Sequence, residues 1–222
     1  MRYPGGKGKC FHQLINLMPP HETYIEAFLG GGSVLRNKKR AQRTIGIDID
    51  PAVITAWQSS ADVELVQGDA IAYLEAFDFT GQELLYLDPP YLSSTRRQER
   101  VYRHDFSDAQ HEHLLAMAAV LPCMVMISGY ASDLYGSHLH DWNKVNFMAN
   151  SHVGLREECV WFNFDPPSAL HDVSHLGANF RERQTIKRRR DRLHERIEGL
   201  DPVERHELMA WMTEKFGEAR TR

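Results

Sequence analysis

Cysteine is scarce in this chain of 222 residues: Cys10, Cys123 and Cys159 are the only three. They are odd in number, far apart and form no CxxC pair. That excludes a disulfide framework and a thiolate zinc site, and points to reduced thiols in a cytoplasmic protein. Long apolar runs are also missing, since none approaches the roughly 20 residues that cross a bilayer. No membrane partner is expected. The opening stretch, MRYPGGKGKC, lacks the apolar centre of a secretion signal. Paired metal ligands are lacking too, because His111 and His113 lie two apart on a helical pattern and face different ways. No metal is expected.

An excess of basic charge is absent overall, with a net charge of −4. Taken alone this argues against nucleic acid as a partner, but the distribution matters more. Residues 181–222 hold 12 Lys/Arg against 9 Asp/Glu, while the other 180 hold 14 against 21. Screening confines each charge to about 10 Å, so local clusters decide what is bound.

Apolar runs alternate with helical patterns. TYIEAFL (23–29), RTIGIDI (43–49), VELVQG (63–68), ELLYLD (83–88) and CMVMISG (123–129) read as strands, several apolar on both faces. Helical patterns lie between them at 7–18, 31–40, 51–60, 70–77 and 108–121. Asp50-Pro51 opens the third of these, and Ser107 with Gln110 makes a capping box for the last. NKVNFMA (143–149) and EECVWFNF (157–164) follow with no helix between them, as an antiparallel edge pair would. The fold expected is α/β with a largely parallel sheet. The tail differs in character. A basic helix over 179–200 carries a narrow apolar stripe of Ile186, Leu193, Ile197 and Leu200, and Asp201-Pro202 with Glu204 starts a second helix running to about Phe216. A catalytic domain over 1–170 and a basic helical extension over 171–222 are expected. The stripe offers a surface for the neighbouring helix or for an oligomer.

Four places carry chemistry. In EAFLGGGSVL (26–35) a strand ends near an acid, Glu26, and runs through Phe28 into a glycine cluster at Gly30, where a ligand can approach the backbone. The second strand ends at Asp48, 18 residues after Gly30, where an acid accepts hydrogen bonds from ribose hydroxyls; Asp50 is the lesser candidate because it caps a helix. Neither GxGxxG nor a phosphate-binding Lys-Ser/Thr is present, which disfavours NAD and ATP and leaves an adenosine ligand without a pyrophosphate. Asp69, after the third strand, either caps the next helix or lies beside an adenine ring. The fourth strand ends in Asp88-Pro89-Pro90-Tyr91. The exocyclic amine of adenine is a poor nucleophile because its lone pair is delocalised into the ring. A carboxylate and a proline carbonyl accepting its two N–H bonds localise that pair, and an aromatic ring provides a face for an extruded base. A phenylalanine at 91 is expected to keep much of what tyrosine does there.

With these motifs in view, RYPGGK (2–7), EAFLGGGSV (26–34), IGIDID (45–50), QGDA (67–70), DPPY (88–91) and VMISGY (125–130) occur in the order found in the Dam-like (D12 class) DNA adenine-N6 methyltransferases, which the chain resembles over residues 1 to about 165. The resemblance implies the Rossmann-like class I methyltransferase sheet of seven strands, S-adenosyl-L-methionine as cofactor, and DNA, double- or single-stranded, as partner. It implies cofactor contacts at Tyr3, Lys7, Asp48 and Asp88, with Tyr3 standing where the family often has Trp. One departure is plain: only 40 residues separate Asp48 from Asp88, too few for the family's inserted target-recognition domain, as in compact phage and prophage enzymes. Two segments are candidates for holding nucleic acid. One is SSTRRQERVYRH (93–104), with Arg96, Arg97, Arg100 and Arg103 around Tyr102. The other is the basic helix around Lys187, Arg188 and Arg189, whose plainer reading is a solvated or pairing face. An RNA adenine substrate and a non-catalytic nucleic-acid-binding module are the alternatives; protein-glutamine methylation goes with NPPY, which Asp88 argues against.

Overall fold

Strands that are apolar on both faces must be covered on both faces, and that requirement organises the molecule. The structure is a computed structural model and describes residues 7–8, 10–60, 62–92, 94, 105–151 and 154–217. Five strands run parallel: β1 (Thr23–Ala27), β2 (Arg43–Asp48), β3 (Glu64–Gln67), β4 (Glu83–Leu87) and β5 (Met124–Gly129). Two more, β6 (Asn143–Ser151) and β7 (Gly154–Phe162), form an antiparallel hairpin whose β7 pairs antiparallel with β5. The sheet order is β3-β2-β1-β4-β5-β7-β6.

Alternate residues of one strand supply two separate cores. Ile25, Ile45, Ile47, Leu85, Leu87, Val125 and Ile127 face one side. Helices α4 (Ala70–Glu75), α5 (Asp108–Val120) and α6 (Asp133–His138) cover them through Ile71, Leu74, Leu114, Leu115 and Tyr135. Tyr24, Leu84, Tyr86, Met126, Val160 and Phe162 face the other side, under α1 (Phe11–Ile15), α2 (Ser33–Asn37) and α3 (Pro51–Trp57). All five residues of β4 are buried, as befits the centre of the sheet.

Local signals set the helix boundaries. The Asp50 side chain accepts the Ala52 N–H with Pro51 in the first turn, Asp69 accepts the Ala72 N–H to start α4, and Ser107 and Gln110 cap α5 reciprocally. Helix α1 is shorter than its pattern suggests because Pro19 and Pro20 follow, and a residue before proline avoids helical backbone. Helix α2 is short because it starts from left-handed Gly32 and its C-cap, Lys38, is extended. Helix α6 was not expected from sequence; it is six residues long and contains Gly136, leaving little periodicity to read.

The chain divides into two compact units, Met1–Val173 and Ser174–Arg222. The second holds α7 (Phe180–Glu198), capped by Asn179, and α8 (Pro202–Phe216), opened by a capping box of Asp201 and Glu204. Neither helix buries a side chain. Trp211 is 49% exposed for that reason. Among the described residues no helix is long and apolar enough to cross a membrane.

Candidate active site

Strand β1 has β2 on one side and β4 on the other, and in such sheets a crevice opens at the carboxyl ends where connections diverge. The chain leaves β1 through Phe28, a non-glycine residue held at φ 63°, and continues through Gly30 (φ 45°) and Gly32 (φ 55°). A left-handed backbone at phenylalanine costs about 1–2 kcal/mol. The Phe28 ring meets Phe106 edge to face at 5.3 Å, a packing gain that offsets part of the strain. Trp57 supports the glycine turn from below. Its indole N–H donates to the Gly30 carbonyl at 3.1 Å, the Arg36 guanidinium lies 3.8 Å over its ring, and a Cβ on Gly32 would fall 2.1 Å from its Cζ2.

Asp48 staples this turn to β2. Its two oxygens accept from the Gly30 N–H at 2.8 Å and the Asp50 N–H at 2.9 Å. Glu26 is buried, and its Oε2 accepts from the Tyr24 hydroxyl at 2.8 Å and the Leu35 N–H at 2.9 Å. Burial pushes its carboxyl up to about 8 against those hydrogen bonds, with the Asp88 charge adding to the rise. Asp69 caps α4 and also lines the crevice.

The tip of β4 is the most heavily charged point. The Lys7 ammonium, 3% exposed, donates to Asp88 Oδ1 at 2.7 Å and to the Tyr91 hydroxyl at 2.8 Å. The Tyr91 hydroxyl donates in turn to Glu158 Oε1 at 2.9 Å. The other oxygen of Glu158 makes no hydrogen bond and lies 3.5 Å from the same ammonium. Burial opposes the charge on Lys7, but Asp88, Tyr91 and Glu158 outweigh it and hold the ammonium well above its ordinary range. Asp88 is pushed up to about 6, chiefly by burial, with Lys7 pulling the other way. Tyr130 packs on Tyr91 with ring centroids 4.3 Å apart, and the Tyr86 hydroxyl bonds Ser128 at 2.8 Å beneath them.

One cleft of about 1010 Å³, solvent mouth included, joins these parts. Lys7, Glu26, Phe28, Gly30, Asp48, Asp69 and Asp88 all line it, as do Pro89, Pro90 and Tyr91. Tyr3 and the arginine-rich stretch with Arg96, Arg97, Arg100, Tyr102 and Arg103 lie outside the described residues. Lys187, Arg188 and Arg189 are exposed on α7, in the second unit. Sequence reasoning missed Ile49, which is 47% exposed yet lines the cleft, and Phe106. It also missed Glu158, although a signal was there: Glu158 shares strand parity with Val160 and Phe162, so an acid stands on a buried face.

Residues 3–79 match the model of the D12 class N6 adenine-specific DNA methyltransferase family. Over these residues the chain is similar to the D12 class of methyltransferases. No curated protein matches the chain in sequence. Among solved structures it is similar to the N-methyltransferase NodS from Bradyrhizobium japonicum, with a TM-score of 0.50 at 11% identity over 71% of this chain and 99% of that one. It also matches the 23S rRNA methyltransferase ErmE, with a TM-score of 0.49 at 12% identity over 84% of each chain. The fold is thus the class I Rossmann-like one, and the match over residues 3–79 points to S-adenosyl-L-methionine as the cofactor. The cleft suits that cofactor. Left-handed glycines leave no side chain where an adenosine would meet the backbone, Asp48 presents an acid at the end of β2, and Ile49 offers an apolar surface beside it.

Proposed function

We propose that the chain methylates the N6 amino group of adenine in DNA. The observation that carries this is the tip of β4. A carboxylate with its side chain 20% exposed stands at the cleft, fixed from behind by a buried ammonium, and is followed directly by the two prolines and Tyr91. When bound, S-adenosylmethionine supplies a methyl group activated as a sulfonium, whose bonding pair stays with sulfur on transfer.

The residues of the chain do the rest. Gly30, Asp48 and Asp69 hold the adenosine moiety, and Glu26 meets its charged amino-acid end. Asp88 and the Pro89 carbonyl accept the two N–H bonds of N6, which localises the nitrogen lone pair, and Tyr91 supplies the ring on which the base rests. Placing acceptors where positive charge develops is the main source of rate in such a site, together with alignment of the two reactants. DNA as the substrate follows the family's description. Short or relaxed target specificity follows from the compact stretch between Asp48 and Asp88, filled by α3, β3, α4 and β4 alone. The arginines at 96, 97, 100 and 103, with the basic face of α7, are assigned to phosphates.

The test is to incubate the enzyme with labelled cofactor and plasmid DNA, single-stranded DNA or RNA, and to identify the product nucleoside by mass spectrometry. N6-methyladenine in a DNA arm is the expected result. Label only in RNA, or in none of the three, overturns the proposal.

A further inference from the structure

Glu158 is nowhere required by the DPPY motif, yet it is the only group besides Asp88 among the described residues that forms an ion pair with Lys7. It enters from β7, on the far side of β5 from β4, and is 5% exposed. Lys7, Asp88, Glu158 and Tyr91 form one buried cluster with two carboxylates for a single ammonium. Burying a carboxylate costs several kcal/mol unless it is paired, so a second one at this spot calls for a reason.

Resting on the methyl-transfer reading above, we infer that Glu158 is a positioning residue for the reaction: it orients Lys7 and Tyr91, and it keeps Lys7 compensated when Asp88 becomes neutral. As the N6 lone pair bonds to the methyl carbon, N6 gains positive charge and must lose one of its two protons. Asp88, which accepts that N–H, is the base in contact. The proton moves onto the Asp88 carboxylate and leaves to water once the product has gone. At that moment Lys7 has lost its partner at 2.7 Å, and the carboxylate at 3.5 Å remains. The surplus negative charge also favours the cation developing on N6.

The ionisable groups facing Asp88 are Lys7 and Cys10 from the N-terminal segment, Tyr24 and Glu26 from β1, Tyr86 and Tyr91, Tyr135 from α6, and Glu158. Burial pushes the tyrosines and Cys10 upward, so they stay neutral in the working range. Glu158 raises Asp88 and Lys7 lowers it. Replacing Glu158 by a neutral isostere therefore makes Asp88 a weaker base.

The experiment is single-turnover methyl transfer as a function of pH. Glu158→Gln retains an acceptor for the Tyr91 hydroxyl and removes only the charge. It is expected to slow the step about 10- to 100-fold and to move the acid limb of the profile to lower pH. Glu158→Asp keeps the charge and leaves the limb in place. In a Lys7→Met background, Glu158→Gln costs less than it does in the wild type. A wild-type rate with an unmoved limb in Glu158→Gln, or losses that multiply in the double variant, overturns the inference. Should the wild type leave adenine unmethylated, the functional reading fails instead. The Lys7–Glu158 coupling is then read by thermal unfolding, where Glu158→Gln must lower Tm more in the wild type than in Lys7→Met; equal shifts overturn it.

Discussion

At Asp88, burial raises the carboxyl while Lys7 pulls it down, and the balance lies near 6. Only the ionised form accepts an N–H, so kcat/KM for methyl transfer is expected to fall about tenfold per pH unit below 6, with the same Asp88 ionisation moved lower in the kcat profile once a cationic cofactor is bound. A flat profile between pH 5 and 7 would contradict this. Asp88→Ala is expected to abolish transfer while the protein stays folded, checked by product assay and circular dichroism. From sequence, Tyr91→Phe is expected to be mild. In the structure the Tyr91 hydroxyl touches both Lys7 and Glu158, so loss of about tenfold or more in kcat is now expected. Glu26, pushed up to about 8, is neutral at pH 7 before ligand arrives. Glu26→Gln should therefore melt within a few degrees of the wild type yet bind the cofactor more than tenfold more weakly by calorimetry. The residues legible in sequence were those at strand ends inside compact motifs. Glu158 was hidden because its partner lies 151 positions away at Lys7, and pairing at that range leaves no local pattern.

Among the elements, the turn from β1 to α2 shows how much a single position constrains. Gly32 has a left-handed backbone, and a methyl there would collide with Trp57. Gly32→Ala is expected to lower stability by about 1–2 kcal/mol from the backbone alone, and more as the indole is displaced. A urea titration followed by circular dichroism measures it. The seven strands could be read from apolar runs, and the caps of α3, α5 and α8 from Asp, Ser and Pro at their starts. The ends of α1 and α2 were overrun because helical patterning continues past a point where prolines or an extended residue stop the backbone. The hairpin β6–β7 extends beyond its pairing with β5: Gly129 is the last β5 residue in register, opposite Cys159, while β7 reaches back to Gly154. That overhang places Glu158 at the same edge of the sheet as the tip of β4.

On the scale of the whole molecule, the order of strands is a matter of connection handedness and resemblance, since no local window encodes which strand neighbours which. At the amino edge of the sheet, opposite the cleft, the segment after β7 is pinned by stacked rings of His21 and His171, 3.9 Å apart, and by Asp172 accepting the Lys39 N–H at 2.8 Å. Burial, with Lys38 and His171 nearby, lowers His21 to about 3. The unfolded chain takes up this proton near 6.5 and the folded one does not, so the His21 contribution is complete above pH 6.5 and is lost as pH falls toward 3. Glu26 and Asp88 act in the opposite sense, so the comparison that isolates the pair is Tm against pH for the wild type and His21→Phe. A smaller acid-side fall in the variant is expected. One consequence of the fold is optical. Trp57 lies under the glycine turn with its N–H on the Gly30 carbonyl and a guanidinium on its face, so its fluorescence should report the arrival of cofactor without any dye. Trp57 does not itself line the cleft but is bonded to the glycine turn that does, and a Trp57→Phe protein would supply the background to subtract.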